Sequence, residues 1–141
     1  MADHVITIGH TPDMDDAFMF YAWTEGKIQA NGLKVRHVIE DIQSLNQRAL
    51  RAELDVTAIS AAAYPALAKD YWILSVGSSV GQDYGPVVVS TKAMNPEQLS
   101  GRRVAVPGLQ TTACLLLRLA VEGFEPVEMS FETISDAVLR G

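Results

Sequence analysis

Asp13, Asp15 and Asp16 stand within four positions directly after His10-Thr11-Pro12, and acids packed so closely can do three kinds of chemistry. They can ligate a hard cation, but such a site wants about six or more oxygens and the chain has no second acidic cluster to supply them. They can take part in phosphoryl transfer, but no lysine-bearing partner motif follows, and Ala17 stands where a hydroxyl or a glycine would serve. They can complement the positive end of a helix, with Asp15 or Asp16 as its cap. The last reading is the best supported, yet three carboxylates exceed what capping needs, and the surplus can orient the hydroxyls of a ligand. His10 is the titratable group of this turn with a pKa suited to proton transfer near neutrality. It is a candidate base or ligand contact, and equally a plain strand-end histidine.

Two further turns offer polar groups to a ligand. Ser60 separates an apolar run from an alanine-rich one, so its hydroxyl either caps a helix or faces a ligand. Gly108-Leu109-Gln110-Thr111-Thr112 opens a second apolar helix. There Gly108 permits close backbone approach, Thr111 or Thr112 caps the helix, and the remaining N–H groups suit a carboxylate or a phosphate. The plainer alternative is an ordinary strand–helix connection. Cys114 is the single cysteine and lies between Ala113 and Leu115, which reads as core packing rather than a nucleophile. The histidines, His4, His10 and His37, lack the one-turn helical spacing of a metal motif. No metal is expected.

Elements must hold these groups in place, and the hydropathy pattern supplies strands and helices in alternation. Residues 4–9 read as a β-branched strand leading into a helix, and 33–40 alternate as a half-buried strand. Leu33, Val35, His37 and Ile39 share one face of it, which makes His37 a packing histidine. Lys27 to Gly32 reads as the stop and turn between them. Ser44 is the expected cap of a helix over 45–53, with Gln47 at the capping-box position. Residues 54–59 form a third strand signal and 61–68 a third helix. Strand signals at 72–76 and 86–90 flank the loop-like stretch 77–86. A short helix at 96–99, a strand at 101–107, a helix at 113–121, a strand at 125–131 and a helix at 135–141 follow. The alternation predicts an α/β fold, with ligands at the carboxyl ends of its strands. The loop divides it into a first α/β lobe, 1–84, and a partial second one, 85–141.

Composition narrows the partner. A chain of 141 residues with 48% hydrophobic content can pack one domain or two small lobes. Its net charge of -6, with eleven scattered Lys and Arg, argues against a nucleic-acid partner. No run approaches a spanning helix and the opening residues carry no leader pattern, so no membrane is expected and the cytoplasm is. A small solute, a carboxylate or a phosphate by the turn at Thr111, is the partner these features suit.

Five ordered motifs carry a resemblance. They are residues 8–22 through Asp16; Glu40-Asp41-Ile42-Gln43-Ser44-Leu45-Asn46; Asp55-Val56-Thr57-Ala58-Ile59-Ser60 with Ala62-Ala63-Tyr64; Gly85-Pro86-Val87-Val88-Val89; and Arg103-Val104-Ala105-Val106-Pro107-Gly108 with Thr111-Thr112. In register over nearly the whole chain, they resemble the 1,4-dihydroxy-6-naphthoate synthase family of the futalosine route to menaquinone. The resemblance implies the two-lobed fold of type II periplasmic solute-binding proteins, incomplete in this chain, with the ligand between the lobes. It also implies conversion of cyclic dehypoxanthine futalosine to dihydroxynaphthoate without metal or cofactor. By position, Asp16 falls on the acid of the family's Pro-Cys-Pro-Asn-Asp turn, Ser60 on its serine after the third strand, and Thr111 and Thr112 on its paired threonines.

Two departures set further expectations. Asp13, Met14 and Asp15 replace Cys, Pro and Asn of the usual synthase, which leaves open a non-catalytic solute-binding or sensing protein on the same fold. The family chain is longer, and its proposed catalytic histidine lies beyond Gly141, so no catalytic residue is assigned and lyase activity is expected of a completed chain only. A fragment of such a fold leaves strand edges unpaired, and homodimerisation or strand exchange is the expected consequence.

Overall fold

A computed structural model describes residues 4–29 and 32–141. The expected turn at Lys27 to Gly32 falls in part on residues 30 and 31, outside the described residues. The chain forms two compact units, one running to Ser60 and resuming at Tyr64–Val80, the other made of Ala61–Ala63 and Gly81–Gly141.

In the first unit, strands β1 (His4–His10), β2 (Leu33–Ile39) and β3 (Val56–Thr57) form a parallel sheet in the order β2-β1-β3. Helix α1 (Met14–Thr24) joins β1 to β2, and helix α2 (Ile42–Leu50) joins β2 to β3. Parallel strands need such crossovers, so the alternation expected from the sequence is the alternation found. The middle strand is covered on both faces over Thr7, Ile8, Gly9 and His10, as a parallel strand's β-branched run requires. Leu45 and Ala49 of α2, with Leu54 and Leu67, close the core. A four-residue helix α3 (Tyr64–Leu67) brings in Leu67, and the Tyr71 hydroxyl donates to the Leu54 carbonyl at 2.7 Å.

Both helix starts differ from expectation. Asp41, not Ser44, caps α2: its carboxylate accepts from the N–H groups of Gln43 and Ser44, each at 3.0 Å, and from the Ser44 hydroxyl at 2.6 Å. A carboxylate offers more acceptor capacity and more charge to the helix end than a hydroxyl, so the helix begins three residues earlier. Burial works against the Asp41 charge, yet these hydrogen bonds hold its carboxyl below the ordinary value. Neither Asp15 nor Asp16 caps α1. Asp13 occupies the cap position without a side-chain cap bond, and the Asp16 carboxylate is drawn back to the preceding turn.

In the second unit, β4 (Arg103–Val106) and β5 (Glu125–Glu128) pair in parallel across helix α4 (Thr112–Ala120), and helix α5 (Phe131–Arg140) follows. The last helix starts at Phe131 rather than at 135, cutting short the strand expected to reach that residue. Cys114 is fully buried, and Leu99 and Val106 of the same unit are buried too, as its apolar neighbours predicted. The strand signals at 72–76 and 86–90 form no ladder. An alternating segment becomes a strand only when a neighbour takes its backbone groups and a face covers its side chains. Among the described residues neither happens: Trp72 is 93% and Val87 83% exposed. No helix among the described residues is long and apolar enough to cross a membrane.

Candidate functional site

The chain leaves β1 for β2 on one side and returns to β3 on the other. Strand order therefore reverses between β1 and β3, and the carboxyl ends at such a reversal form the crevice where open α/β sheets take ligands. The turn after β1 carries His10, Thr11, Asp13 and Asp16; the turn after β3 carries Ser60. The sequence placed both groups at strand ends, and the sheet order sets them on adjacent strands.

Asp16 organises the first turn. Its Oδ2 accepts from the Thr11 backbone N–H at 2.6 Å and from the Thr11 hydroxyl at 2.9 Å, and both residues are buried. Asp13 lies 3.2 Å from the same hydroxyl and remains exposed. Asp15 turns elsewhere. The Ser79 hydroxyl donates to it, and this bond, with the Asp16 N–H at 3.1 Å, holds its carboxyl below the ordinary value. Of the three acids, one is locked to the turn, one ties it to the loop at Ser79, and one stays at the surface.

His10 is 3% exposed and both its ring nitrogens are engaged. Nδ1 lies 3.2 Å from the Thr11 carbonyl, which can only accept, so Nδ1 carries the proton. Nε2 of His10 is then left to accept from Nδ1–H of His37, 3.1 Å away. The pair is enclosed by α1: Phe20 stacks on His10 at 4.6 Å, and Phe20 and Trp23 stand edge-on to His37. His37 packs there as its face of β2 predicts, and the Thr11 carbonyl, by fixing the tautomer of His10, fixes that of His37 as well.

Burial, then the neighbouring His10, pushes the His37 pKa below 6.5. Above pH 6.5 folded and unfolded chains are both neutral here. As the pH falls the unfolded chain binds the proton more readily, so this stability is present above the unfolded value and is lost as pH drops through the folded one. The melting temperature is expected to fall between about pH 7 and pH 5, and His37→Gln to flatten that part of the profile, in a pH series of thermal melts.

Ser60 is held by a residue the sequence reading passed over. Asn46, fully buried on α2, accepts the Ser60 N–H at 2.9 Å and donates its amide to the Ser60 hydroxyl at 3.1 Å. A signal was available: Asn46 lies beside Leu45 and Ala49 on the buried helix face, and a buried amide there must find partners.

In the second unit the turn before α4 is built as its residues suggest. Thr111 is the N-cap, its hydroxyl accepting from Cys114 N–H at 3.3 Å and donating to the Gly108 carbonyl at 2.7 Å. That leaves the N–H groups of Thr112 and Ala113 without an intrahelical acceptor. The Thr112 hydroxyl accepts from the Ala62 N–H at 3.4 Å. The Leu109 N–H donates to the Glu128 carboxylate at 3.0 Å, so this turn binds one carboxylate of its own through a backbone donor. Among the described residues no group of three or more His, Cys, Asp or Glu converges to hold a metal ion.

Comparison with known proteins shows the family. A family model described as menaquinone biosynthesis matches residues 6–141. The chain is 38% identical over 136 residues to a 1,4-dihydroxy-6-naphthoate synthase of Thermus thermophilus, covering 96% of this chain and 49% of that one. It is 35% identical over 148 aligned positions to the synthase of Streptomyces coelicolor, covering 100% of this chain and 51% of that one. A crystal structure of an Archaeoglobus fulgidus protein superimposes with a TM-score of 0.90 at 57% identity, covering 99% of this chain and 52% of the other. The chain thus spans about half the length of the curated relatives it matches.

Proposed function

The chain belongs to the menaquinone-biosynthesis family, and from that premise we propose that it supplies half of a cytoplasmic 1,4-dihydroxy-6-naphthoate synthase. In this reading the two units are the lobes of a type II periplasmic-binding-protein-like fold, and cyclic dehypoxanthine futalosine is cleaved in a cleft between them without a cofactor. The observation that carries it is the polar carboxyl edge of the sheet, Thr11–Asp16 beside Ser60, in a chain 38% identical to a curated synthase.

Asp16 would meet hydroxyls of the substrate, and its carbonyl and carboxylate oxygens would be met by Ser60 and by the helix N–H groups of the turn from Gly108 through Thr111 and Thr112. His10, with both nitrogens occupied, would hold the Thr11 carbonyl and so the turn rather than exchange protons with substrate. No residue from 1 to 141 is given the part of catalytic base. The test is turnover: the complete gene product containing this chain should release 1,4-dihydroxy-6-naphthoate from cyclic dehypoxanthine futalosine, followed by chromatography. Binding without turnover would favour a second reading, a solute-binding or sensing protein for a small carboxylate, which Asp13, Met14 and Asp15 in place of the usual Cys, Pro and Asn favour.

Thr111→Val keeps the shape of the cap and removes its hydroxyl. It should cost about 1 kcal/mol of stability and lower carboxylate affinity about tenfold. Unchanged affinity by calorimetry would take Thr111 out of the site.

We also propose that residues 1–141 alone associate, by pairing of a second copy or strand exchange along 72–76 and 86–90. These stretches support it by being apolar and exposed and by pairing with no other strand among the described residues. A sharp monomer in light scattering, with cooperative melting, is the contrary result.

A further inference from the structure

The turns after β1 and β3 each hold a hydroxyl residue whose backbone N–H is accepted by a side-chain oxygen, but the two partners treat the hydroxyl oppositely. At Thr11 the partner is an acid: the Asp16 carboxylate takes the N–H and the O–H together, so that hydroxyl proton points inward. At Ser60 the partner is an amide. The Ser60 N–H is an obligatory donor, which fixes Oδ1 of Asn46 against it and leaves Nδ2 facing the hydroxyl oxygen. An amide N–H only donates, so it fills a lone pair of Ser60 Oγ and cannot take the hydroxyl proton.

From this contrast we propose that Asn46 is a positioning residue that turns the Ser60 hydroxyl proton toward the ligand. The proton of the half-buried Ser60 hydroxyl is turned away from Asn46 at the carboxyl end of β3, and it selects a ligand oxygen that carries lone pairs and no proton, a carboxylate or carbonyl oxygen. A ligand hydroxyl used as a donor, or an ammonium group, finds only the one lone pair that Asn46 leaves and forgoes the bond from the Ser60 proton. The inference rests on the reading of Ser60 as a substrate contact and adds which kind of substrate atom it meets.

Asn46→Asp tests it with nearly the same shape. The new carboxylate accepts the Ser60 N–H and also its O–H, reproducing the Asp16–Thr11 arrangement and presenting a lone pair where a proton stood. The probe is 2-naphthoate, which offers only acceptors, titrated calorimetrically into the complete gene product. Asn46→Asp and Ser60→Ala should each weaken it about tenfold, the worth of one hydrogen bond, and the double variant should bind no worse than either. Asn46→Leu buries no charge, serves if the acid does not fold, and should weaken binding severalfold by releasing the hydroxyl to rotate. Wild-type affinity in Asn46→Asp or Asn46→Leu overturns the positioning role while turnover of the futalosine substrate leaves the parent reading standing. Additive losses in the double variant overturn it too, since they place the effect of Asn46 in the fold at large. No binding of 2-naphthoate to the wild type overturns the donor assignment, and only failure of turnover overturns the synthase.

Discussion

Gly9→Ala should lower stability by about 1–3 kcal/mol, the cost of overpacking a filled core. Gly9 lies in the middle strand, where an added methyl group would come to 2.7 Å from Leu54 Cδ1, 2.8 Å from Leu45 Cδ2 and 2.9 Å from Thr57 Oγ1. Each is too close for a carbon contact. Two are ends of leucine side chains, which yield easily at a surface, but Leu45 and Leu54 are buried and have no free volume to enter. Relief must come from moving α2 outward or from shifting the short strand β3, and β3 carries Ser60 at its end. The variant should therefore lose ligand affinity as well as stability. Chemical denaturation should show the midpoint shift, and calorimetry the weaker binding. A variant as stable as the wild type would show that α2 is not seated tightly on β1.

The same glycine shows what sequence could and could not disclose. Residues 4–9 announce a buried strand through their β-branched pattern, and Gly9 at its end announces a close approach without saying of what. Long-range partners are set by topology. The pairing of Gly9 with Thr57, and of His10 with His37 across 27 residues, follows from the order β2-β1-β3, which no local window contains. Helix starts failed for a related reason. Ser44 and Asp41 both satisfy the local rule for a cap, and the choice fell to the group with more acceptor capacity. The segments 72–76 and 86–90 failed differently: their alternation is real, but a strand is a property of two segments and each has only itself. Thr111, whose partners Gly108 and Cys114 lie within three residues, was readable from sequence for that reason.

Asp16 makes the sharpest separation between holding the fold and meeting a ligand. One oxygen, Oδ2, takes both Thr11 donors; the other, Oδ1, forms no hydrogen bond among the described residues. Asp16→Ala removes the acceptor of a buried N–H and should cost about 3 kcal/mol, the upper range for hydrogen bonds to a charged group. Asp16→Asn can set its single oxygen where Oδ2 stood and keep both bonds in neutral form. Because neutral bonds are about half as strong as charge-assisted ones, its cost should be roughly half that of the alanine variant. The amide nitrogen then replaces Oδ1, so a charged acceptor becomes a neutral donor facing any ligand. If Asp16 only ties the turn, affinity should follow stability, with the alanine variant worse in both. If Asp16 also binds a substrate hydroxyl through Oδ1, the asparagine variant should stay folded and lose affinity as severely as alanine does. We expect the second pattern, read from denaturation and calorimetry on the same two proteins, because capping does not use this carboxylate and Thr11 uses only one side of it.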